Sequence, residues 1–223
     1  MITLVMPYYN NPTMLAEHIR VWSKYTDKDS FKVIIVDDGS QEPAADVFKQ
    51  YGTPLNTELY RITVDIPWNQ DGARNLGMTH AGGWCLLSDM DHVLDYANAQ
   101  KLMAMPKDDR AAYIPRRLFT DAVEHKSRGV NIFAMHRNQF WSIGGYDESL
   151  RGWYGTDRYF KARIPLLQKT DCFALTVYLP NDIADCCTRN YGRKDSAYFI
   201  DNNKAISPNQ EMTLLNFPWD RVL

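Results

Sequence analysis

Two aspartates at the end of a short apolar run are the residues best suited to chemistry in this sequence. Residues 84–87 are apolar, and Asp89 and Asp91 follow with one residue between them. In extended backbone, residues i and i+2 point to the same side, so both carboxylates can reach one ion. Hard divalent cations prefer carboxylate oxygens. The spacing indicates a divalent-metal site, although Asp-x-Asp is also common in solvated turns. The side chain of His92 is expected to point to the opposite side of the strand from Asp91, so we do not include it among the candidate metal ligands.

The composition is that of an ordinary folded protein. The chain has 223 residues, 45% hydrophobic and 23% charged, with a net charge of −2. This length suits one domain, and the charge gives no global basic field that would attract nucleic acid. Four cysteines without zinc-site spacing predict buried free thiols and a cytoplasmic protein. A first strand from Ile2 leaves no room for a signal peptide. No apolar run approaches the ~20 residues of a transmembrane segment, so any membrane contact would be peripheral.

Apolar runs alternate with helical patterns through the first half of the chain. Strands are predicted at 2–6, 31–36, 58–64 and about 84–87, and helices at 12–25, 43–51 and 72–81. This alternation predicts a parallel sheet with helices on both faces, an α/β fold. Ligands of such sheets bind at the carboxyl ends of the strands. We therefore expect the polar loops Tyr8–Asn11, Asp37–Ser40 and Asp89–His92 to contribute to one site.

The second half of the chain is less regular. Helices are predicted at 97–105, 137–143 and about 157–164, with Thr156 as an N-cap, and strands at 111–115, 130–135 and 172–179. Residues from 180 onwards are polar and weakly patterned, so they support no clear prediction of secondary structure.

Five motifs occur in a fixed order over roughly residues 1–165. They are Pro7-Tyr8-Tyr9-Asn10, Val36-Asp37-Asp38-Gly39-Ser40, Ala73-Arg74-Asn75-x-Gly77, Leu87-Ser88-Asp89-Met90-Asp91, and Gly144-Gly145-Tyr146-Asp147-Glu148 with Gly152-Trp153-Tyr154-Gly155-Thr156-Asp157 after it. This series resembles the family 2 glycosyltransferases of the GT-A fold. No single motif is decisive, but five in register are hard to obtain by chance.

The resemblance implies a single GT-A domain over residues 1–223, with a Rossmann-like, mostly parallel central sheet. Its nucleotide-sugar-binding half would be 1–95, and the acceptor and catalytic half with a C-terminal extension would be 96–223. The activity implied is transfer of a sugar from a nucleotide donor, usually a uridine diphosphate (UDP) sugar, to an acceptor hydroxyl with inversion. By similarity, Asp89 and Asp91 would hold Mn²⁺ or Mg²⁺, and Asp157 would be the catalytic base. The donor-binding residues implied are Pro7, Tyr8, Tyr9, Asp38, Arg74, Asp89 and Asp91.

General chemistry agrees with these roles. A divalent cation neutralises the charge that develops on a departing diphosphate, and inversion needs one base on the opposite face of the sugar. Loss of such a base typically costs about 10²- to 10⁴-fold in rate.

Several features are left open by the sequence. Many inverting relatives carry an acid just before the base, where this chain has Thr156. No histidine follows His136, so further metal ligands would be water, phosphate or an acid such as Asp182 or Asp185. A nucleotidyltransferase, or a non-catalytic sugar- or nucleotide-binding module, is an alternative function. The acceptor is open as well, whether a glycan, a lipid-linked phosphate, a protein or a nucleic acid.

Overall fold

A large sheet flanked by helices organises the protein. The computed structural model describes residues 1–120, 131–179, 194–195 and 214–223. The strands are β1 (Ile2–Tyr8), β2 (Phe31–Asp38), β3 (Asn56–Ile62), β4 (Trp84–Leu87), β5 (His92–Val93), β6 (Ala112–Phe119), β7 (Phe133–His136), β8 (Trp153–Tyr154), β9 (Leu167–Val177), β10 (Lys194–Asp195) and β11 (Trp219–Arg221). The helices are α1 (Pro12–Trp22), α2 (Ala44–Tyr51), α3 (Gln70–His80), α4 (Tyr96–Ala104), α5 (Arg137–Ser142) and α6 (Asp157–Ala162).

Within the described ranges, nine strands form one sheet in the order β11-β3-β2-β1-β4-β7-β6-β9-β5, and β8 pairs with β10 separately. The strands β3, β2, β1 and β4 are parallel neighbours. On the far side of β4 the sheet is mixed, since β7 runs antiparallel to both β4 and β6 while β9 is parallel to β6. The mostly parallel first half and the less regular second half are confirmed.

Both faces of the central strands are buried, as their continuous apolar sequences predict. On β2, Val33 and Ile35 pack into one core, which includes residues of α1 and α2. Ile34 and Val36 face the other core, which includes residues of α3, α5 and α6. This two-sided burial anchors the strand ends from which the polar loops emerge.

Two details differ from the sequence-based expectations. Pro7 was expected to end the first strand, but β1 continues through it to Tyr8. The carbonyl of Val5 accepts a hydrogen bond from Ser88 N at 3.0 Å, on the side of β4. The backbone nitrogen of Pro7, two residues later, is directed to the same side, where β4 has already ended. The missing N–H of proline therefore costs no bond in the sheet. Of the four cysteines predicted to be buried, Cys85 is buried, Cys172 is exposed, and Cys186 and Cys187 lie outside the described residues.

The last residues of the chain return to its first half. β11 pairs antiparallel with β3 and forms the edge of the sheet opposite β5. Phe217 lies against α3, where a Cβ on Gly72 would come within 2.6 Å of its ring. The sequence left the role of residues 180–223 open; in the structure, pairing with β3 covers an otherwise open strand edge. None of the described helices is long and apolar enough to cross a membrane.

Candidate active site

The acidic motif lies in the turn between β4 and β5. Ligand atoms of Asp89, Asp91 and His92 all lie within 4.8 Å of one another. His92 was expected to point away, but its Nδ1 is 2.5 Å from Asp91 Oδ1. The reason is that β4 ends at Leu87, and a bond of 3.1 Å from His92 N to the Asp89 carbonyl closes a turn. The alternation of side chains in a strand does not apply to a turn.

A buried arginine joins this motif to the proposed base. Arg74 lies on α3 with its side chain 0% exposed. Its Nη1 donates to Asp157 Oδ1 at 2.6 Å and its Nη2 donates to Asp89 Oδ1. Although burial opposes it, the surrounding Tyr146, Asp89 and Asp157 hold the pKa of Arg74 well above its usual value. The family resemblance implies a contact of Arg74 with the donor, which stays a prediction; in this structure its buried guanidinium connects two carboxylates.

Asp157 begins helix α6 and is 6% exposed. Thr156 occupies the N-cap position, as predicted, but its side chain makes no capping hydrogen bond. Its hydroxyl donates instead to Asp71 Oδ2 on α3, at 2.7 Å. Burial, and then the charge of Asp157, raise the pKa of Asp71 to about 7.

The structure brings in two polar residues that the sequence analysis missed. Asp71 lies three residues before Arg74, a helical spacing that could have indicated a shared face. Asn131 donates from Nδ2 to Asp89 Oδ2. It precedes β7 and belongs to none of the motifs, so the sequence carried no signal for it.

The Ala73-Arg74-Asn75 motif also fixes the glycine loop before α6. Asn75 Oδ1 accepts from Tyr146 N at 2.8 Å, and its Nδ2 donates to the Tyr146 carbonyl at 2.9 Å and to Glu148 Oε1 at 2.8 Å. Gly145 has φ of +66°, and a Cβ there would lie 2.8 Å from Asn75 Oδ1. Glycine is therefore required both by conformation and by the close approach.

The ends of β1 and β2 form the neighbouring part of the cleft. Asp38 is 5% exposed and accepts from Asn69 Nδ2 at 3.0 Å, and burial raises its pKa to about 7. Asp37 is the structural acid of the pair, since it accepts from Ser40 N at 2.9 Å and Ala44 N at 3.0 Å. Asp37 thus has a structural role, whereas the expected contact of Asp38 with a ligand stays a prediction.

The two tyrosines after β1 have different surroundings. Tyr9 is half-buried, and its hydroxyl is 3.3 Å from Asp65 Oδ2. Tyr8 is fully buried, and its hydroxyl donates to the Glu42 carbonyl at 2.7 Å. Tyr8 was expected to contact the donor, but its side chain belongs to the core, so any contact would come from its backbone or that of Pro7.

The match to known proteins agrees with this geometry. Residues 3–177, well over half of the chain, match the family model described as Glycosyl transferase family 2. The chain belongs to glycosyl transferase family 2. A search of curated protein sequences finds no match.

Solved structures of glycosyltransferases share the fold of this family 2 chain. S. aureus TarS 1-349 in complex with UDP-GlcNAc has a TM-score of 0.66 and 13% identity, covering 80% of this chain and 58% of its own. GalNAc-T7 with UDP, GalNAc and Mn²⁺ has a TM-score of 0.62 and 15% identity, and the match covers 80% of this chain and 43% of that one. Mannosyltransferase PcManGT from Pyrobaculum calidifontis, in complex with GDP-Man and Mn²⁺, has a TM-score of 0.62 and 15% identity. That match covers 85% of this chain and 58% of the mannosyltransferase. These likenesses confirm the GT-A fold. This chain spans between 38% and 62% of the lengths of the first chains it matches.

The residues around the acidic turn suit a divalent cation. Carboxylate oxygens are ligands that Mn²⁺ and Mg²⁺ accept. Both oxygens of Asp89 already accept hydrogen bonds, from Arg74 and Asn131, whereas Asp91 is slightly more exposed, at 28% against 22%. Burial alone would raise the pKa of Asp91, but the imidazole of His92 and then Arg117 hold it below its usual value. Asp91 therefore stays ionised, as a ligand must. The further candidates Asp182 and Asp185 lie outside the described residues.

Proposed function

We propose that this protein is a metal-dependent, inverting glycosyltransferase that moves a sugar from a nucleotide donor, most simply a UDP-sugar, to an acceptor hydroxyl. The observation that carries the proposal is the buried Arg74, which hydrogen-bonds both Asp89 of the acidic turn and Asp157 of α6. The guanidinium of Arg74 thus holds an aspartate of the candidate metal site and the candidate base at a fixed distance from each other. Holding reacting groups in place in this way is worth several kcal/mol in a displacement reaction.

Asp91 and Asp89 are the residues that would hold Mn²⁺ or Mg²⁺ in this proposal. When bound, such an ion neutralises the negative charge that develops on the diphosphate leaving group. Asp91 would be the principal ligand because its carboxylate is the more exposed, and His92 Nδ1 orients it. Asp89 would contribute through the same turn while Arg74 and Asn131 hold its carboxylate in place.

Asp157 would take the proton of the acceptor hydroxyl as the oxygen attacks. Its Oδ1 is bound by Arg74, while its Oδ2 makes no hydrogen bond to any other residue that the structure describes. We propose that Oδ2 is the atom that takes the proton of the acceptor hydroxyl. The Arg74 contact keeps the carboxylate oriented.

The donor would lie across the carboxyl ends of β1 and β2. Tyr9 is accessible there for stacking against a base, and Asp38 presents a carboxyl group whose pKa of about 7 allows it to donate or accept. Pro7 and Tyr8 would contribute through backbone atoms. The similar structures titled with UDP, UDP-GlcNAc and GDP-Man support a nucleotide-sugar donor without choosing the base.

The free thiols of Cys85 and Cys172 suit a reducing compartment, and we place the enzyme in the cytoplasm. Its acceptor would be a compound with a free hydroxyl group.

A panel of sugar nucleotides tests the proposal. Transferases of this chemistry are expected to hydrolyse their donor slowly in the absence of acceptor, so release of nucleoside diphosphate with Mn²⁺ would identify the donor. Asp91→Asn should abolish that release, and Asp157→Asn should retain donor binding while stopping transfer to an acceptor. The exposed Asp46 provides a control, as Asp46→Asn should behave like the wild type. Nucleotide binding with no turnover on any donor would favour the non-catalytic module instead.

A further inference from the structure

We propose that Asp71 is a positioning residue that holds the proposed base Asp157 in place by binding the hydroxyl of Thr156. This inference rests on the proposed function for the role of Asp157. Nothing in the motif pattern singled out Asp71, and it touches neither the acidic turn nor the ends of β1 and β2.

The hydrogen bond joins two elements that are distant in sequence. Thr156 Oγ1 donates to Asp71 Oδ2 at 2.7 Å across a separation of 85 residues. Both residues are buried, with 2% of Thr156 and 3% of Asp71 exposed. Excluded from water, a bond to a carboxylate is stronger than one on the surface. It ties α3 to the first turn of α6.

Helix α6 depends on such ties because it is short. It has 6 residues, and its N-cap side chain does not cap it. Isolated helices of this length are unstable, so the position of the first residue, Asp157, is set by tertiary contacts. Two contacts with α3 hold that turn, and they involve adjacent residues: Thr156 with Asp71, and Asp157 with Arg74.

The contact of Asp157 with Arg74 is an ion pair, whereas Asp71 accepts its hydrogen bond from the neutral hydroxyl of Thr156. Arg74 Nη1 is 2.6 Å from Asp157 but 4.0 Å from Asp71 Oδ1, and that oxygen is buried with no hydrogen-bond partner among the described residues. The hydroxyl of Thr156 is therefore the one hydrogen-bond donor to the Asp71 carboxylate among the described residues, while Arg74 acts on its charge without a hydrogen bond. The charged and titratable groups near it are Arg74 on its own helix, Asp157 and Arg163 at the two ends of α6, and Tyr146 and Asp147 in the preceding loop.

The same surroundings give the contact a pH dependence. Burial and the nearby Asp157 raise the pKa of Asp71 to about 7. Above that pH the carboxylate is ionised and binds the hydroxyl of Thr156 more strongly than the neutral acid does. Ionisation also places a second negative charge beside Asp157, so the buried carboxylate becomes less favourable in the folded state as the pH rises through about 7.

Steady-state kinetics on a donor identified by the sugar-nucleotide panel test the inference. Thr156→Val and Asp71→Ala each remove one partner and should lower kcat by about 10- to 100-fold, while the KM for the donor changes little. The double variant should be no worse than the poorer single variant, because both remove the same bond. Thr156→Ser keeps the hydroxyl and should restore kcat. Thr79→Val is the matched control, since Thr79 lies on the same helix and donates to the Asn75 carbonyl.

A kcat within twofold of wild type for Thr156→Val, losses that multiply in the double variant, or failure of Thr156→Ser to restore kcat would each overturn the inference. Two measurements without turnover keep it separate from the proposed function. The coupling of Asp71 and Thr156 in the free energy of unfolding reports their bond directly. Carboxyl NMR should show the Asp71 pKa of about 7 falling in Asp157→Asn, since the nearby charge is gone. An inactive wild type that shows both results would refute the glycosyltransferase proposal alone, whereas absence of both would refute the Asp71 contact.

Discussion

Arg74 Nη1 donates to Asp157 Oδ1 at 2.6 Å, although the two residues are 83 positions apart in the sequence. The bond is buried, with 0% of the arginine side chain and 8% of the aspartate side chain exposed. The same guanidinium reaches Asp89, so the acidic turn and helix α6 share one cation. Moving any of the three residues would therefore disturb the other two.

Replacement of Arg74 by methionine should destabilise the protein by about 3–5 kcal/mol, because it leaves buried carboxylates without their partner. The free energy of unfolding in urea measures the effect. Arg20 pairs with Glu17 on the surface, with 55% of its side chain exposed. Arg20→Met should cost less than about 1 kcal/mol. Equal effects of the two variants would show that the Arg74 cluster does not stabilise the fold.

Asp91→Asn should remove the response of the protein to Mn²⁺ and UDP. A ligand that binds only the native state stabilises it by about 2.7 kcal/mol at 100 times its Kd. The wild type should therefore melt at a higher temperature when both are added, and the variant should not, because a neutral amide is a poor ligand for a hard cation. Asp46→Asn should respond as the wild type does. An unchanged response in Asp91→Asn would remove this residue from the metal site.

Asp38 should make the stability of the protein fall as the pH rises towards neutrality. Burial raises its pKa from 3.8 to about 7, so the folded state favours the neutral carboxyl group. Its contribution is fully present below about pH 3.8 and is lost as the pH rises through about 7. Asp38→Asn should therefore gain stability relative to wild type between pH 4 and pH 8. Urea unfolding at several pH values checks this, and a difference that does not change with pH would contradict it.

Gly145→Ala should cost about 1–3 kcal/mol, since a side chain at φ of +66° is strained and the new Cβ would crowd Asn75 Oδ1. Donor turnover should fall too, because Asn75 joins α3 to the loop that leads to Asp157. Gly82→Ala is the control: a Cβ there meets nothing within 4 Å, and its φ is not in the left-handed region. Thermal unfolding and turnover of both variants test the prediction, which fails if they behave alike.

Much of the donor half was predictable from the sequence because its signals are local. The runs that became β1, β2 and β4 are apolar almost throughout, and burial on both faces of a parallel strand requires that pattern. Chain direction then places their following loops at one end of the sheet. The aspartates of the acidic turn and Asp38 could be selected on these grounds together with the family resemblance.

The partners of those residues came from the tertiary structure alone. Whether Arg74 meets a ligand or two carboxylates depends on how α3 packs against α6, and no local pattern encodes a contact across 83 residues. His92 turned towards Asp91 because the strand had ended, a boundary that apolar periodicity locates poorly. Asp71 became a candidate positioning residue only because the structure shows it buried near Asp157, where it accepts a hydrogen bond from the hydroxyl of Thr156. The sequence by itself determined which chemical groups are present and at which end of the sheet they lie; packing decided which of them are exposed, which are paired and how strongly each holds its proton.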